Sequence, residues 1–393
     1  MVIKAVSEAV SKAVSKAVSK AVNSDIEAGT EVRGACADLP ELLVLQAASL
    51  DNPPARHTPQ TSKMANNQAF ESAITVTPVD SHRYTAMLDD AWCIGTVPHG
   101  GYSTAVLHRL ATTHFALTHP TQYPSEPATP ISMQLVFLRR TGAGPAVLTV
   151  RDTKLGARTS TIHVTLAQAS EKKKGELEDK IAGYVTVSPA SAEEGITAPT
   201  AWSLHPPPPA GSGAGGTVDL GKLGLSGRDG AWTRIEPPFS EFRRAAQQTE
   251  IFGRDPATAG KGPRVVDQWA RFRPGGNADA RWTDEAVVYL ADMFPMALDG
   301  FDTMGEEEAG SEQGAKFWYP TVTLNLDVKK RLPTPGPRWL YSRVQTRAVR
   351  DGRTDLDVVV LDEEGDVVLL STQVGLVVSA SRNIGKRAMK QKL

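Results

Sequence analysis

The sequence predicts an α+β chain in which two antiparallel sheets are each wrapped round a central helix. Three observations lead there. A strand, a helix and a run of long alternating strands occur in that order twice. A Pro-, Gly- and Ser-rich stretch separates the two runs, and each run holds one helical segment apolar enough to lie in a core.

The first run opens with alternating strands at 74–79 and 84–88. Residues 92–101 (WCIGTVPHGG) form a loop, and 102–118 is apolar at helical spacing through Ala105, Val106, Leu110 and Leu117. Long strands follow at 131–139, 146–154, 158–168 and 181–188. The second run has a strand at 264–272, a helix at 282–299, an acidic loop at 305–315 and strands at 319–329, 339–349, 355–362 and 367–380. Residues 189–230 include four consecutive prolines at 206–209, cannot build a core and read as a linker. The units are thus 69–189 and 241–385, with 190–240 between them and a basic tail at 386–393.

Residues 1–68 have a different character. Ala-Val-Ser-Lys recurs at four-residue intervals through Lys20, and a helix drifts about 40° per such repeat, so the apolar stripe spirals instead of forming one face. Lys4, Lys12, Lys16 and Lys20 against Glu8 give the look of a basic mitochondrial presequence, but the repeat lacks arginine and a disordered extension fits it.

The balance of 43 basic to 44 acidic residues, with no basic face, excludes a nucleic-acid binder on electrostatic grounds. No run reaches the roughly 18 apolar residues needed to span a bilayer. Cys36 and Cys93 are the only cysteines, which implies a reducing compartment and no disulfide framework. All eight histidines lie at or before His205, so chemistry run wholly from the second half must use carboxylate, hydroxyl, amide or backbone groups. His108, His114 and His119 are spaced six and five apart, which does not put them on one helical face, and no metal site is expected.

Asp292 is the first candidate for chemistry. In the predicted helix it has Val288 and Tyr289 one turn before it and Pro295 and Met296 one turn after. A carboxylate on that stripe must be paired, hydrogen-bonded or used, because burying it alone costs several kcal/mol. Gly100-Gly101 at the start of the first helix allows close backbone approach to an oxyanion or phosphate, and Gly275-Gly276 is the corresponding pair ahead of Trp282. His99 reads first as a loop histidine. Gly-Tyr-Ser-Thr-Ala at 101–105 resembles a nucleophile elbow but ends in Ala and follows no parallel strand, so a serine hydrolase is discounted.

Several of these residues carry a resemblance. Gly100-Gly101 precedes a strand ending Phe137-Leu138-Arg139, and Asp292-Met293-Phe294-Pro295 is followed by Thr323 on the next strand and Gln373 on the last. Over roughly 69–381 the chain is similar to the acyl-CoA thioesterase II (TesB-like) family, the thioesterase-like superfamily common in fungi. The resemblance implies a double hotdog and places the catalytic roles on Asp292, Thr323 and Gln373. His99 before the Gly pair follows single-hotdog thioesterases, and 1–68 and 190–240 match nothing in the family.

Acyl-thioester hydrolysis then follows as the expected activity. A desolvated Asp292 acts as base for a water held by the Thr323 hydroxyl and the Gln373 amide, with no metal, cofactor or covalent intermediate. On residues 321–328, Thr323 points away from the apolar face together with Thr321 and Asn325. Gly100, Gly101 and His99 are candidates for oxyanion or substrate contact, and Met293, Phe294, Trp318 and Tyr319 for an acyl pocket. The expected partner is acyl-CoA or an acyl-carrier thioester. A hotdog hydratase or dehydratase would need His99 or His163 beside the acid. A hotdog that only binds an acyl chain or polyketide is the non-enzyme alternative. The ending Gln-Lys-Leu departs from the peroxisomal signal at Gln391, so cytoplasmic and peroxisomal locations both fit. The fused units suit a monomer, and homo-oligomers are compatible with it.

Overall fold

The computed structural model describes residues 67–123, 127–198, 200–237, 239–254, 265–294 and 317–384. The expectations for nearly all of the N-terminal extension, the acidic loop and the basic tail lie outside the described residues, as do Pro295 and Met296.

The first half contains α1 (Gln68–Ala73), β1 (Val76–Pro78), β2 (Arg83–Leu88), the short pair β3 (Cys93–Ile94) and β4 (Val97–Pro98), and α2 (Gly100–Thr118). Long strands follow: β5 (Thr129–Phe137), β6 (Gly144–Lys154), β7 (Ser160–Ala169) and β8 (Leu177–Ser188). Next come α3 (Leu220–Ser226), β9 (Arg228–Asp229), β10 (Trp232–Ile235), β11 (Thr249–Arg254), β12 (Val265–Phe272), α4 (Asp284–Leu290), β13 (Phe317–Trp318) and β14 (Thr321–Val328). The chain continues through β15 (Trp339–Gln345), β16 (Val349–Arg350), β17 (Arg353–Leu361), β18 (Val367–Leu376), β19 (Val378–Ser379) and α5 (Ser381–Ile384).

The connectivity repeats. The first half orders its strands β2-β6-β7-β8-β5 and the second β12-β15-β17-β18-β14, each with a helix between its first strand and the next long one. Where two sheets are expected there is one: β5 pairs antiparallel with β14, Leu135 opposite Leu324, and fifteen strands run as a continuous sheet. Each half thereby satisfies the backbone groups of the other's exposed edge.

Alternation fills one core from both halves. Met133 and Leu135 of β5, Leu324 and Leu326 of β14, and the buried faces of α2 and α4 belong to a single apolar cluster. The two helices run antiparallel: Arg109 pairs with Glu285 at 3.2 Å near one end, and Gly101 meets Asp292 at the other.

The reading of 190–240 as a linker is corrected. Leu223 of α3 and Trp232 of β10 are buried against Phe252, Trp339 and Tyr341 on the outer face of the second half, and β9 and β10 extend the sheet beyond β11. Trp232 Nε1 donates to the Pro209 carbonyl at 3.0 Å, tying the proline run to this second core. Prolines cannot supply a core, but the apolar residues behind them cover one; Leu223 alone contributes about 1.5–3 kcal/mol. Among the described residues no helix is long and apolar enough to cross a membrane.

Candidate active site

The predicted helix at 282–299 is corrected to α4, capped at Thr283 by its side chain and ending at Leu290. Asp292 therefore lies in the turn after the helix. Pro295 has no N–H to give the Ala291 carbonyl, so a regular helix cannot continue through this point. Asp292 and Met293 instead donate to carbonyls three residues back.

The carbonyls left over are taken by side chains from three other elements. Gln373 Nε2 donates to Ala291 O at 2.9 Å, His99 Nε2 to Asp292 O at 3.0 Å, and Gln268 Nε2 to Met293 O at 2.8 Å. Three consecutive carbonyls are thus pinned, which fixes the direction of the Asp292 side chain.

The carboxylate is 4% exposed and is held from both halves of the molecule. Gly101 N–H donates to Oδ2 at 2.8 Å, and the Thr321 hydroxyl donates to Oδ1 at 3.1 Å. A Cβ on Gly100 would stand 2.5 Å from Asp292 Oδ2, and one on Gly101 would stand 2.5 Å from the Tyr289 carbonyl. The glycine pair is what lets the N-terminus of α2 reach the acid.

Burial raises the Asp292 pKa above the ordinary carboxylate value, and His99, the Gly101 N–H and the Thr321 hydroxyl oppose the shift. His99 is pushed down by burial, against the pull of Asp292. Its Nε2 lies 3.0 Å from the Asp292 carbonyl but 3.6 Å from Oδ2. The closer contact is therefore an imidazole N–H donating to backbone, and it leaves Nδ1 buried without a protein partner.

Asp292, His99, Gly100 and Thr321 line a cavity of about 310 Å³. Met293, Phe294, Trp318 and Tyr319 stand on its wall, with Arg139 and Arg140 among the lining residues. The placement of Thr323 beside Asp292 is corrected. A bulge between Thr321 and Thr323 sets Thr321 opposite Gly375 and Thr323 opposite Val374. The extra residue reverses the alternation, so Thr321 turns inward while Thr323 stays on the outer face with Asn325.

Gln373 sits opposite Leu324 on the inner face and grips the turn under Asp292 instead of lining the cavity; its Oε1 is buried without a partner. The Gly101 N–H is engaged by the carboxylate. Gly275-Gly276 forms a turn with positive φ well ahead of α4, not a helix start. Ser103 is a buried residue in the first turns of α2.

Thr321 and Gln268 are the contacts of Asp292 and its turn that sequence reasoning missed. Gln268 carried a signal: in β12 it occupies the inward register with Val266, Ala270 and Phe272, where a polar side chain needs a partner. Thr321 carried none, because the bulge follows from pairing with β18.

The model of the acyl-CoA thioesterase N-terminal domain matches residues 88–188, and that of the C-terminal domain matches residues 216–377. A thioesterase-like protein, TwmA, of Talaromyces wortmannii is 29% identical over 348 residues, covering 82% of this chain and 96% of its own length. A hot dog fold protein of Alicyclobacillus acidocaldarius superposes with a TM-score of 0.56 at 17% identity, covering 79% of this chain and 98% of its own. The acyl-CoA thioesterase II TesB2 of Mycobacterium marinum gives 0.50 at 14% identity, covering 80% and 99%. With both domain models matched in order along one repeated fold, the chain belongs to the acyl-CoA thioesterase family.

Proposed function

We propose that the two repeated halves are hotdog units forming a double hotdog, and that the chain hydrolyses acyl thioesters, acyl-CoA in the first place. The observation that carries this reading is the Asp292 carboxylate, buried in the lining of an apolar-walled cavity and held by Gly101 and Thr321. A cavity at the low end of the usual range, about 300–1,000 Å³, suits the acyl chain and leaves a nucleotide carrier outside near Arg139 and Arg140.

Asp292 takes a proton from water as the oxygen attacks the thioester carbonyl carbon. Its raised pKa makes it the stronger base once ionised. Gly100 N–H, which as the first of α2 has no helical acceptor by position, supports the developing oxyanion. Collapse expels the thiolate, which recovers the proton from Asp292. His99, Gln268 and Gln373 act as positioning residues through the backbone of the turn.

The test is release of free thiol from short, medium and long acyl-CoAs. Turnover by the wild type and a fall of at least a thousandfold in Asp292→Asn, with the fold retained, is the expected result. Undiminished activity in the variant removes Asp292 from the mechanism.

The His99–Asp292 contact favours a second reading, a hydratase or dehydratase, in which His99 and Asp292 exchange protons with a hydroxyacyl thioester. Interconversion of enoyl and 3-hydroxyacyl thioesters without thiol release would select it.

A further inference from the structure

At the opposite end of α2, His82, His114 and His119 surround one carboxylate, Asp152 of β6. Asp152 Oδ1 is 3.0 Å from His114 Nε2, and Oδ2 is 3.0 Å from His119 Nε2 and 3.4 Å from His82 Nε2. His114 is fully buried, and the ligand atoms of His82, His114 and Asp152 all lie within 4.8 Å of one another. Helical spacing does not govern this cluster. His119 has left the helix as the C-cap of α2, and His82 and Asp152 come from the paired β2–β6 region, where Val150 N–H donates to the His82 carbonyl.

The surrounding hydrogen bonds orient one ring. The Tyr84 hydroxyl lies 3.0 Å from His114 Nδ1 and 3.1 Å from the Ser81 carbonyl, which also accepts from Thr118 Oγ1 at 3.0 Å. With Nδ1 held in this way, His114 presents Nε2 to the carboxylate at 3.0 Å. His82 Nδ1 sits 2.8 Å from Ser81 Oγ, a partner of the kind that orients a metal-bound imidazole. A tetrahedral ion with bonds of about 2.0 Å has ligand–ligand edges of about 3.3 Å, and ligand atoms of His82, His114 and Asp152 that lie within 4.8 Å of one another can draw in to that spacing by side-chain rotation, with His119 3.0 Å from the carboxylate beside them.

We propose that His82, His114 and Asp152, with His119 as fourth ligand, bind a divalent transition-metal ion, Zn²⁺ fitting this nitrogen and oxygen set. Gly101 and His114 are 13 residues apart on α2, about 20 Å, so the ion is structural: it clamps the C-terminal end of α2 to β6 and the turn before β2.

The experiment is calorimetric titration of the full-length, tag-free, chelator-treated protein with Zn²⁺, and with Co²⁺ to read geometry from its visible absorption. The variants are His82→Ala, at a half-exposed position that folding tolerates, and Asp152→Asn. One equivalent per chain, a tetrahedral cobalt spectrum, at least hundredfold weaker binding in both variants and a metal-dependent rise in Tm confined to the wild type are expected. No saturable binding, or equal affinity in His82→Ala, overturns the proposal and leaves a hydrogen-bonded His–Asp network.

Discussion

The backbone N–H of Gly101 donates to Asp292 Oδ2 at 2.8 Å, joining the start of one helix to the end of its antiparallel counterpart across the two halves of the chain. The acid and this donor are thus 191 residues apart in sequence. Gly101→Ala places a methyl 2.5 Å from the Tyr289 carbonyl and 3.0 Å from Asp292 Cβ. Such overpacking costs about 1–3 kcal/mol. Chemical denaturation should record that loss together with a fall in kcat larger than any change in KM.

Asp292 sets a pH dependence with a definite sign. Because its folded pKa lies above the ordinary value, the folded chain holds its proton to higher pH than the unfolded chain does. Stability conferred by the neutral acid is therefore full below the unfolded pKa of about 3.9. It is lost as pH rises through the folded pKa. The acid limb of kcat/KM should fall in the same window, above the range of an exposed carboxylate. In Asp292→Asn the stability slope should vanish and Tm at neutral pH should equal or exceed that of the wild type.

The bulge in β14 separates two threonines. Thr321→Val removes the donor to Asp292 Oδ1 and should lower kcat about tenfold to a hundredfold, in line with roughly 1.5–3 kcal/mol for a hydrogen bond to a charged group. Thr323→Val should leave kcat within twofold. Equal effects, or the reverse order, would place the bulge elsewhere.

Gln268→Leu and Gln373→Leu each strip a donor from the turn that carries the acid. Either should cost about 1–3 kcal/mol through an unsatisfied buried carbonyl. Both should also lower kcat without shifting the acid limb, since neither touches the carboxylate. Urea titration and a pH–rate profile on the same samples measure the two effects.

Local patterning was enough to read the repeated strand–helix–strand order, the odd acid at 292 and the glycine pair at 100–101. Period-two alternation, an unpartnered carboxylate among apolar neighbours and the absence of a side chain are all visible in a few adjacent residues. The same patterning failed wherever a distant partner decided the outcome. Pairing of β5 with β14 made one sheet of two, and pairing with β18 made the bulge that exchanged Thr323 for Thr321. The outer face of the second half drew Leu223 and Trp232 out of an apparent linker. The tertiary structure alone brought Gly101, His99, Gln268, Thr321 and Gln373 to one turn, and His82, His114, His119 and Asp152 to another. In both places, hydrogen bonds and burial act between residues that no local sequence pattern relates.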